Sequence, residues 1–429
     1  MRRTILAFVV FFVIFTAKSI NYASYFENFA CRVDFHFAGT AKYTAAYLHA
    51  IRKEPHWGGR RAFLDTHFNL GEYRFQLTDS ASGKLIYVDG FGSLFFEWQT
   101  TDEAKTTTKS FEQSIQFPYP KKPIVLRIDK RLDFEKWETI LQAGLSPCDK
   151  LIVRNAPTAV PIRHIARTGS PENAVDIAIV AEGYRTSDST KFFEDALKLY
   201  ENLLSHEPFN RHKSRINVYA IAAASVDSGV SKPHENKWKN TALGSHFYTF
   251  YEPRYLTSPQ VFAIRNYAAL VPYDAIYILA NTTSYGGGGI YNFYAMASSD
   301  SKRSKSEVVV HEFGHSFAGL ADEYFKDSAD VLDDLYDITK EPWEPNITSL
   351  IRFDMKWKRN LPANALIPTP VTDETKKLKL GVFEGGGYRT KGMYRPAYDC
   401  RMRSNRAPAF CPVCEMAVER MILFLTSAK

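Results

Sequence analysis

Two histidines four residues apart, His311 and His315, lie with Glu312 inside the apolar run VVVHEFGHSFAGL. No other stretch limits the fold as tightly, because buried imidazoles and a buried carboxylate are costly unless a partner satisfies them. Ser304-Lys305-Ser306-Glu307 fits a capping box, so the spacing predicts a helix starting near Lys305. One helical turn puts both imidazoles on one face, where each nitrogen can reach a single metal ion at about 2.0–2.1 Å. Glu312, turned by about 100° around the axis, then reaches a metal-bound water rather than the metal. An exposed helix with two solvated histidines fits poorly, since Val308, Val309, Val310, Phe313, Phe317 and Leu320 make the segment too apolar. The expected roles are therefore His311 and His315 as Zn2+ ligands and Glu312 as catalytic base.

A catalytic zinc takes a third protein ligand. If the helix simply continued, Asp322, seven residues past His315, would lie about 10 Å along the axis and out of reach. Gly319 is the available breaker, a natural residue for a left-handed helix end, and the extended residues after it can bring the chain back. Compared with the pattern H-E-x-x-H-x-x-G-x-x-H, the glycine comes one residue late, and Gly319-Leu320-Ala321-Asp322 keeps the glycine-to-ligand spacing with a carboxylate in place of the histidine. Asp322 is the expected third ligand, with Glu323 or a distant residue as alternatives; the acid that is not the ligand is expected to orient a histidine from behind.

At 429 residues the chain has room for two or three domains, and 45% hydrophobic with 14% aromatic content is ordinary for a globular protein. Its net charge of +7 is spread along the sequence without basic blocks, which argues against a nucleic-acid partner. Arg2 and Arg3 precede an apolar run from Ile5 to Phe15 and then Thr16-Ala17-Lys18-Ser19, the shape of a signal peptide over residues 1–19. A cut near Ala23 and an uncleaved anchor are the alternatives, but the run falls short of the roughly 20 residues that span a bilayer. No later stretch is apolar enough to span, so an exported protein is expected: secreted, periplasmic or at the cell surface. The five cysteines, Cys31, Cys148, Cys400, Cys411 and Cys414, are too few for a disulfide scaffold, and an odd number leaves one unpaired within the chain.

Short alternating runs from about residue 20 to 154, such as KLIYVDGFGSLFFEWQ, predict a β-rich domain in the form of a sandwich, with one helix around Thr44 to Ile51. Asn155 to Ala174, rich in proline and small polar residues, reads as a linker or an extended crossing segment. Beyond it, AVDIAIVAEGY, INVYAIAA and YDAIYILAN read as buried strands and Thr190 to Leu204 as a helix, an α/β pattern running from 155 to 429. The run Gly286 to Gly289 lacks the ending of a phosphate loop and reads as a flexible turn into a strand.

The segments HEFGHSFAGLADEY, AIVAEGY, SVDSGVS, YGGGGIYN, YRPAYDCRMR and FCPVCE resemble the IgA-peptidase family of secreted bacterial zinc metallopeptidases. CRVDFHFAG and FEWQTTDEA are similar to the β-sandwich domain that precedes the peptidase in one branch of that family. The resemblance implies an α+β multidomain chain, a β-sandwich followed by a metzincin-like α/β peptidase domain with zinc on two histidines and an acid. It also implies a methionine beneath the metal, for which Met402 in Cys400-Arg401-Met402 is the candidate and Met393 the alternative. Arg403 and Ser404 follow, so the tyrosine that some metzincins carry two places on is missing, and an oxyanion stabiliser must come from elsewhere: Tyr285, Tyr388 or Tyr394. Cys411-Pro412-Val413-Cys414 with Cys400 lacks a nearby fourth metal ligand in the sequence, so a structural role at the start of a C-terminal helix, Val413 to Leu425, is expected.

The expected function is a secreted zinc-dependent peptidase in which Glu312 activates a zinc-bound water against a peptide bond of a protein or glycoprotein, an immunoglobulin or mucin among the candidates. A surface glycoprotein-binding protein with a non-catalytic zinc, and an amidase acting on non-protein amides, are the competing readings. Oligomeric state is not legible.

Overall fold

Alternating apolar residues in the first third of the chain pair into seven antiparallel strands: β1 (Phe26–Thr40), β2 (Tyr43–Glu54), β3 (Tyr73–Asp79), β4 (Leu85–Phe91), β5 (Lys109–Pro120), β6 (Ile124–Asp133) and β7 (Lys136–Leu145). The structure is a computed structural model and describes residues 20–154, 158–299, 307–325 and 335–427. The expected leader at 1–19 and the Ser304 side of the capping box lie outside the described residues. Three short helices, α1 (Tyr22–Tyr25), α2 (Leu94–Gln99) and α3 (Asp102–Thr106), belong to the same region. The strands form two sheets, ordered β2-β1-β5 and β4-β3-β6-β7. Phe35 and Phe37 from one sheet and Tyr73, Phe75, Leu126 and Ile128 from the other are buried in one shared apolar cluster.

The helix expected around Thr44 to Ile51 is not formed. Those residues lie in β2, paired antiparallel to β1 with Val33 opposite Ile51 and Phe37 opposite Ala46. The alanine-rich sequence favours helix locally, but the ladder offered by β1 outweighs so weak a preference.

The second region is built on a six-stranded sheet ordered β12-β13-β11-β9-β10-β8. Its strands are β8 (Ile162–Ala166), β9 (Val175–Glu182), β10 (Ile216–Ile221), β11 (Ala275–Ala280), β12 (Gly287–Ile290) and β13 (Tyr294–Ser298). The central pairs β9–β10, β9–β11 and β11–β13 are parallel, and the edge strands β8 and β12 are antiparallel to their neighbours. Every residue of β9, β10, β11 and β13 is buried, as a parallel sheet covered on both faces requires. The expected linker therefore contains a sheet strand, β8.

Helix α4 (Ser189–Leu204) connects β9 to β10 and buries Phe192, Phe193, Ala196, Leu199 and Leu203, a helical stripe. Helix α5 (Val261–Ala268) precedes β11, α6 (Glu307–Ala318) carries the two histidines, and α7 (Pro412–Thr426) closes the described chain after a hairpin, β14 (Phe383–Gly386) and β15 (Arg389–Arg395). These helices and the sheet share one core. Among the described residues no helix is long and apolar enough to cross a membrane.

The two regions are fastened by partly buried polar contacts. Arg32 Nη1 donates to Asn266 Oδ1 at 2.8 Å, the Phe262 amide to Glu112 Oε2 at 2.9 Å, and the Tyr255 hydroxyl to Glu97 Oε2 at 2.5 Å.

Candidate active site

Helix α6 ends at Ala318, and Gly319 takes φ +64° while its amide donates to the His315 carbonyl at 3.0 Å, a left-handed helix cap. A Cβ at Gly319 would also lie 2.7 Å from the Trp343 ring, so both the turn and the packing require glycine. The chain then runs extended. The Asp322 and Tyr324 carbonyls accept from the amides of Gly387 and Tyr388, while the Glu323 amide donates the other way, to the Met402 carbonyl.

That alternation sends the two acids in opposite directions. Asp322 Oδ1 comes to 3.0 Å from His311 Nε2 and 3.4 Å from His315 Nε2, and the two Nε2 atoms are 3.0 Å apart. His311 Nδ1 faces the Arg401 carbonyl at 3.0 Å and His315 Nδ1 the Leu320 carbonyl at 2.6 Å. A carbonyl only accepts, so each Nδ1 carries a proton, and in the neutral imidazole Nε2 is then the nitrogen whose lone pair is offered to a metal.

Asp322 Oδ1 is buried without a hydrogen-bond donor. One donor atom from each of the three residues lies within 4.8 Å of the others, close enough to hold a cation between them. Donor separations of about 3.3 Å are what a tetrahedral ion with bonds near 2 Å imposes, so the donor set fits a divalent metal. Positive charge suits this spot: burial disfavours charge on His315, yet the Asp322 carboxylate holds its pKa up at about 9, so that a proton competes with a metal for the same Nε2 lone pair; burial works against the Asp322 charge too, and the two imidazoles still keep it well below the carboxylate range.

Around this triad, Glu312 faces the edge strand β12. A Cβ on Gly287 would sit 2.7 Å from Glu312 Oε1, and one on Gly289 would sit 2.4 Å from the Glu312 carbonyl and 2.8 Å from His315 Cβ. The glycine run is thus a strand rather than a flexible turn, and its missing side chains let the sheet edge close on the helix. The Tyr388 hydroxyl donates to Asp322 Oδ2, with the Tyr324 ring edge-on to the Tyr388 ring at 5.2 Å. Tyr388 is therefore committed to the aspartate. Tyr285 lines the cleft and accepts from Asn405 Nδ2 at 2.5 Å, whereas Tyr394 lies in β15 outside the cleft lining.

Met402 packs under α6, its sulfur 3.0 Å from where a Cβ would stand on Gly314, the residue before His315. Met393 belongs to a separate small cluster with Ala321 and Ile347.

Glu323 does not touch a histidine, so the expectation that the second acid orients one is corrected. Carbonyls perform that task, and Glu323 points into the core beside Cys400, Cys411 and Cys414. The fourth donor that the sequence did not offer near Cys400 is this glutamate.

The triad opens into a cleft of about 620 Å³, lined by Gly287 to Gly289 and by Glu72, Phe96, Glu97 and Arg131 from the β-rich region. Burial pushes the Glu97 carboxyl up to about 7, against the hydrogen bond from Tyr255 that lowers it. Glu97 and Tyr255 were not singled out in the sequence, since 158 residues separate them; Glu97 lies in the segment FEWQTTDEA, but nothing local marks it as a cleft residue.

The family model described as IgA Peptidase M64 matches residues 163–379 and 371–422, and the model described as Peptidase M64 N-terminus matches residues 21–142. The chain belongs to the IgA peptidase M64 family. It is thereby a peptidase, and the histidine–aspartate triad, the glycine strand and most of α7 fall within the first match. The N-terminal match covers β1 to β6 and most of β7, the region that supplies one wall of the cleft. No curated protein matches the chain.

Proposed function

We propose that this M64 peptidase is an exported, zinc-dependent enzyme whose ion is held by His311, His315 and Asp322. The observation that carries the reading is the convergence of two lone-pair nitrogens and an orphaned carboxylate oxygen at the floor of an open cleft, with Glu312 beside them. Three donors with an open side are the mark of a catalytic rather than a structural zinc. When bound, the ion supplies a Lewis acid that polarises the scissile carbonyl.

The chain's own residues do the rest. Glu312 takes a proton from the attacking water and returns it to the leaving amine nitrogen. Burial raises the Glu312 pKa, while His311 and His315 act against that rise. Tyr388 holds Asp322 in one orientation through its second oxygen, and the carbonyls of Arg401 and Leu320 fix the tautomers of the histidines. Edge strand β12 runs beside Glu312, where an extended substrate can lie along the cleft.

A metzincin-like arrangement is part of the proposal, supported by the glycine break after α6 and by Met402 beneath it. Residues 1–19 would direct export, the region to 154 would form the sandwich domain, and 155–429 the peptidase domain. The substrate is a protein or glycoprotein, with immunoglobulins and mucins the first to try. The test is a cleavage profile of the purified mature protein against immunoglobulins, mucins and a peptide library. Expected is cleavage abolished by a chelator and restored by Zn2+; proteolysis indifferent to chelation would overturn the zinc reading.

A further inference from the structure

Behind the cleft, separated from it by one peptide bond, a second set of metal-type donors is closed off in the core. Glu323, Cys400, Cys411 and Cys414 are all buried, and one donor atom from each lies within 4.8 Å of the others. Cys400 Sγ is 3.7 Å from Cys414 Sγ, and Glu323 Oε1 is 3.1 Å from Cys414 Sγ and 3.9 Å from Cys411 Sγ. A tetrahedral zinc with Zn–S bonds of about 2.3 Å holds its sulfurs about 3.7 Å apart, whereas a disulfide needs about 2.05 Å. The described cysteines are all free thiols.

The surroundings leave these groups in need of a cation. Glu323 is 0% exposed and its Oε2 has no hydrogen-bond partner, while Oε1 receives only the Asn346 amide at 3.0 Å and weak thiol donors. Backbone geometry is already arranged for thiolates. The Cys411 amide donates to Cys400 Sγ at 3.1 Å, and Cys411 and Cys414 occupy the cap and first turn of the 15-residue helix α7, where the helix end favours negative charge. None of the four residues lines the cleft.

We propose that Glu323, Cys400, Cys411 and Cys414 bind a second Zn2+ with a structural role. The four donors complete a tetrahedron and leave no open position, which is the form of a structural rather than a catalytic site. They come from three segments that the active site depends on. Glu323 follows Asp322; Cys400 precedes Arg401, whose carbonyl orients His311, and Met402, which underlies α6; the other two cysteines begin α7. An ion there ties the carboxylate arm, the turn beneath the histidines and the last helix to one point.

The test is metal stoichiometry on the full mature chain, read without peptidase activity. Expected is two zinc ions per native chain and one in the His311→Ala/His315→Ala variant. Titrating that variant's thiols with an organomercurial should release the remaining ion, and Co2+ in its place should show thiolate-to-cobalt charge-transfer absorption. Should Cys400→Ser or Cys414→Ser fail to fold, the histidine variant still decides the matter. A histidine variant free of zinc, zinc that mercurial does not release, or a disulfide between any two of the three cysteines would overturn the proposal. The status of the catalytic ion is read separately, from the ion lost with the histidines.

Discussion

Asp322 and Glu323 divide the lower part of the molecule into two regions with opposite properties. On the Asp322 side, two imidazoles and one carboxylate face a cleft of about 620 Å³. On the Glu323 side, three thiols and one carboxylate are enclosed by Phe410, Val413 and their neighbours in the main core. One set offers two nitrogens and an oxygen and the other three sulfurs and an oxygen, and the access around them differs as well. The contrast teaches that access separates the two proposed roles: a donor set with an open side leaves a position for chemistry, and one without an opening leaves only the holding of parts together.

The comparison can be broken most directly at Glu312. Glu312→Gln should lower kcat by about 10²–10⁴-fold while both donor sets keep their metal, measured by peptide hydrolysis alongside metal analysis. Loss of metal together with activity would mean that Glu312 helps build the open site. A smaller effect is expected from Tyr388→Phe, which removes the hydroxyl on Asp322 Oδ2 and nothing on the Glu323 side. Zinc affinity at the open site should fall by about 10–100-fold in a chelator competition, with the thiol set unchanged.

The smallest effect concerns the cleft wall, where Glu72 has one carboxylate oxygen buried and unpaired, and burial pushes its pKa from 4.5 to about 8. Between those values the unfolded chain has released the proton that the folded chain keeps, so folding stability falls as pH rises from about 4.5 to 8. Glu72→Gln removes that slope. Its melting temperature should match the parent's near pH 4.5 and exceed it at pH 8, by the equivalent of about 1–2 kcal/mol given the solvent on the cleft side. A parent and variant with the same pH dependence would show that Glu72 is ionised in the folded protein.

Much of the open site was legible in the sequence because its rules are local. His311 and His315 share a face through helical spacing alone, and Gly319 marks the break through its left-handed backbone. The choice between Asp322 and Glu323 was only half legible: proximity made both available, and the direction of each depends on hydrogen bonds to Gly387, Tyr388 and Met402, which lie far along the chain. The thiol set was missed for the same reason, its fourth donor standing 77 residues before Cys400. Gly287 to Gly289 misled because glycine disfavours strands in general, and only the close approach of α6 explains why a strand here needs it. In β2 the local sequence favoured a helix, and pairing with β1 decided otherwise.

The alternating path of residues 322–324 has a consequence for how this stretch tolerates change. Side chains there are distributed like letters read in a two-letter frame, Asp322 and Tyr324 facing the cleft and Glu323 the core. A substitution alters one letter, and its cost is graded by the group that is lost. A single inserted or deleted residue between Gly319 and Glu323 shifts the frame, so that the carboxylate meant for the imidazoles turns toward the thiols and its neighbour turns outward. Variation in length should therefore be all-or-none across these few positions, however freely the loops on either side change size.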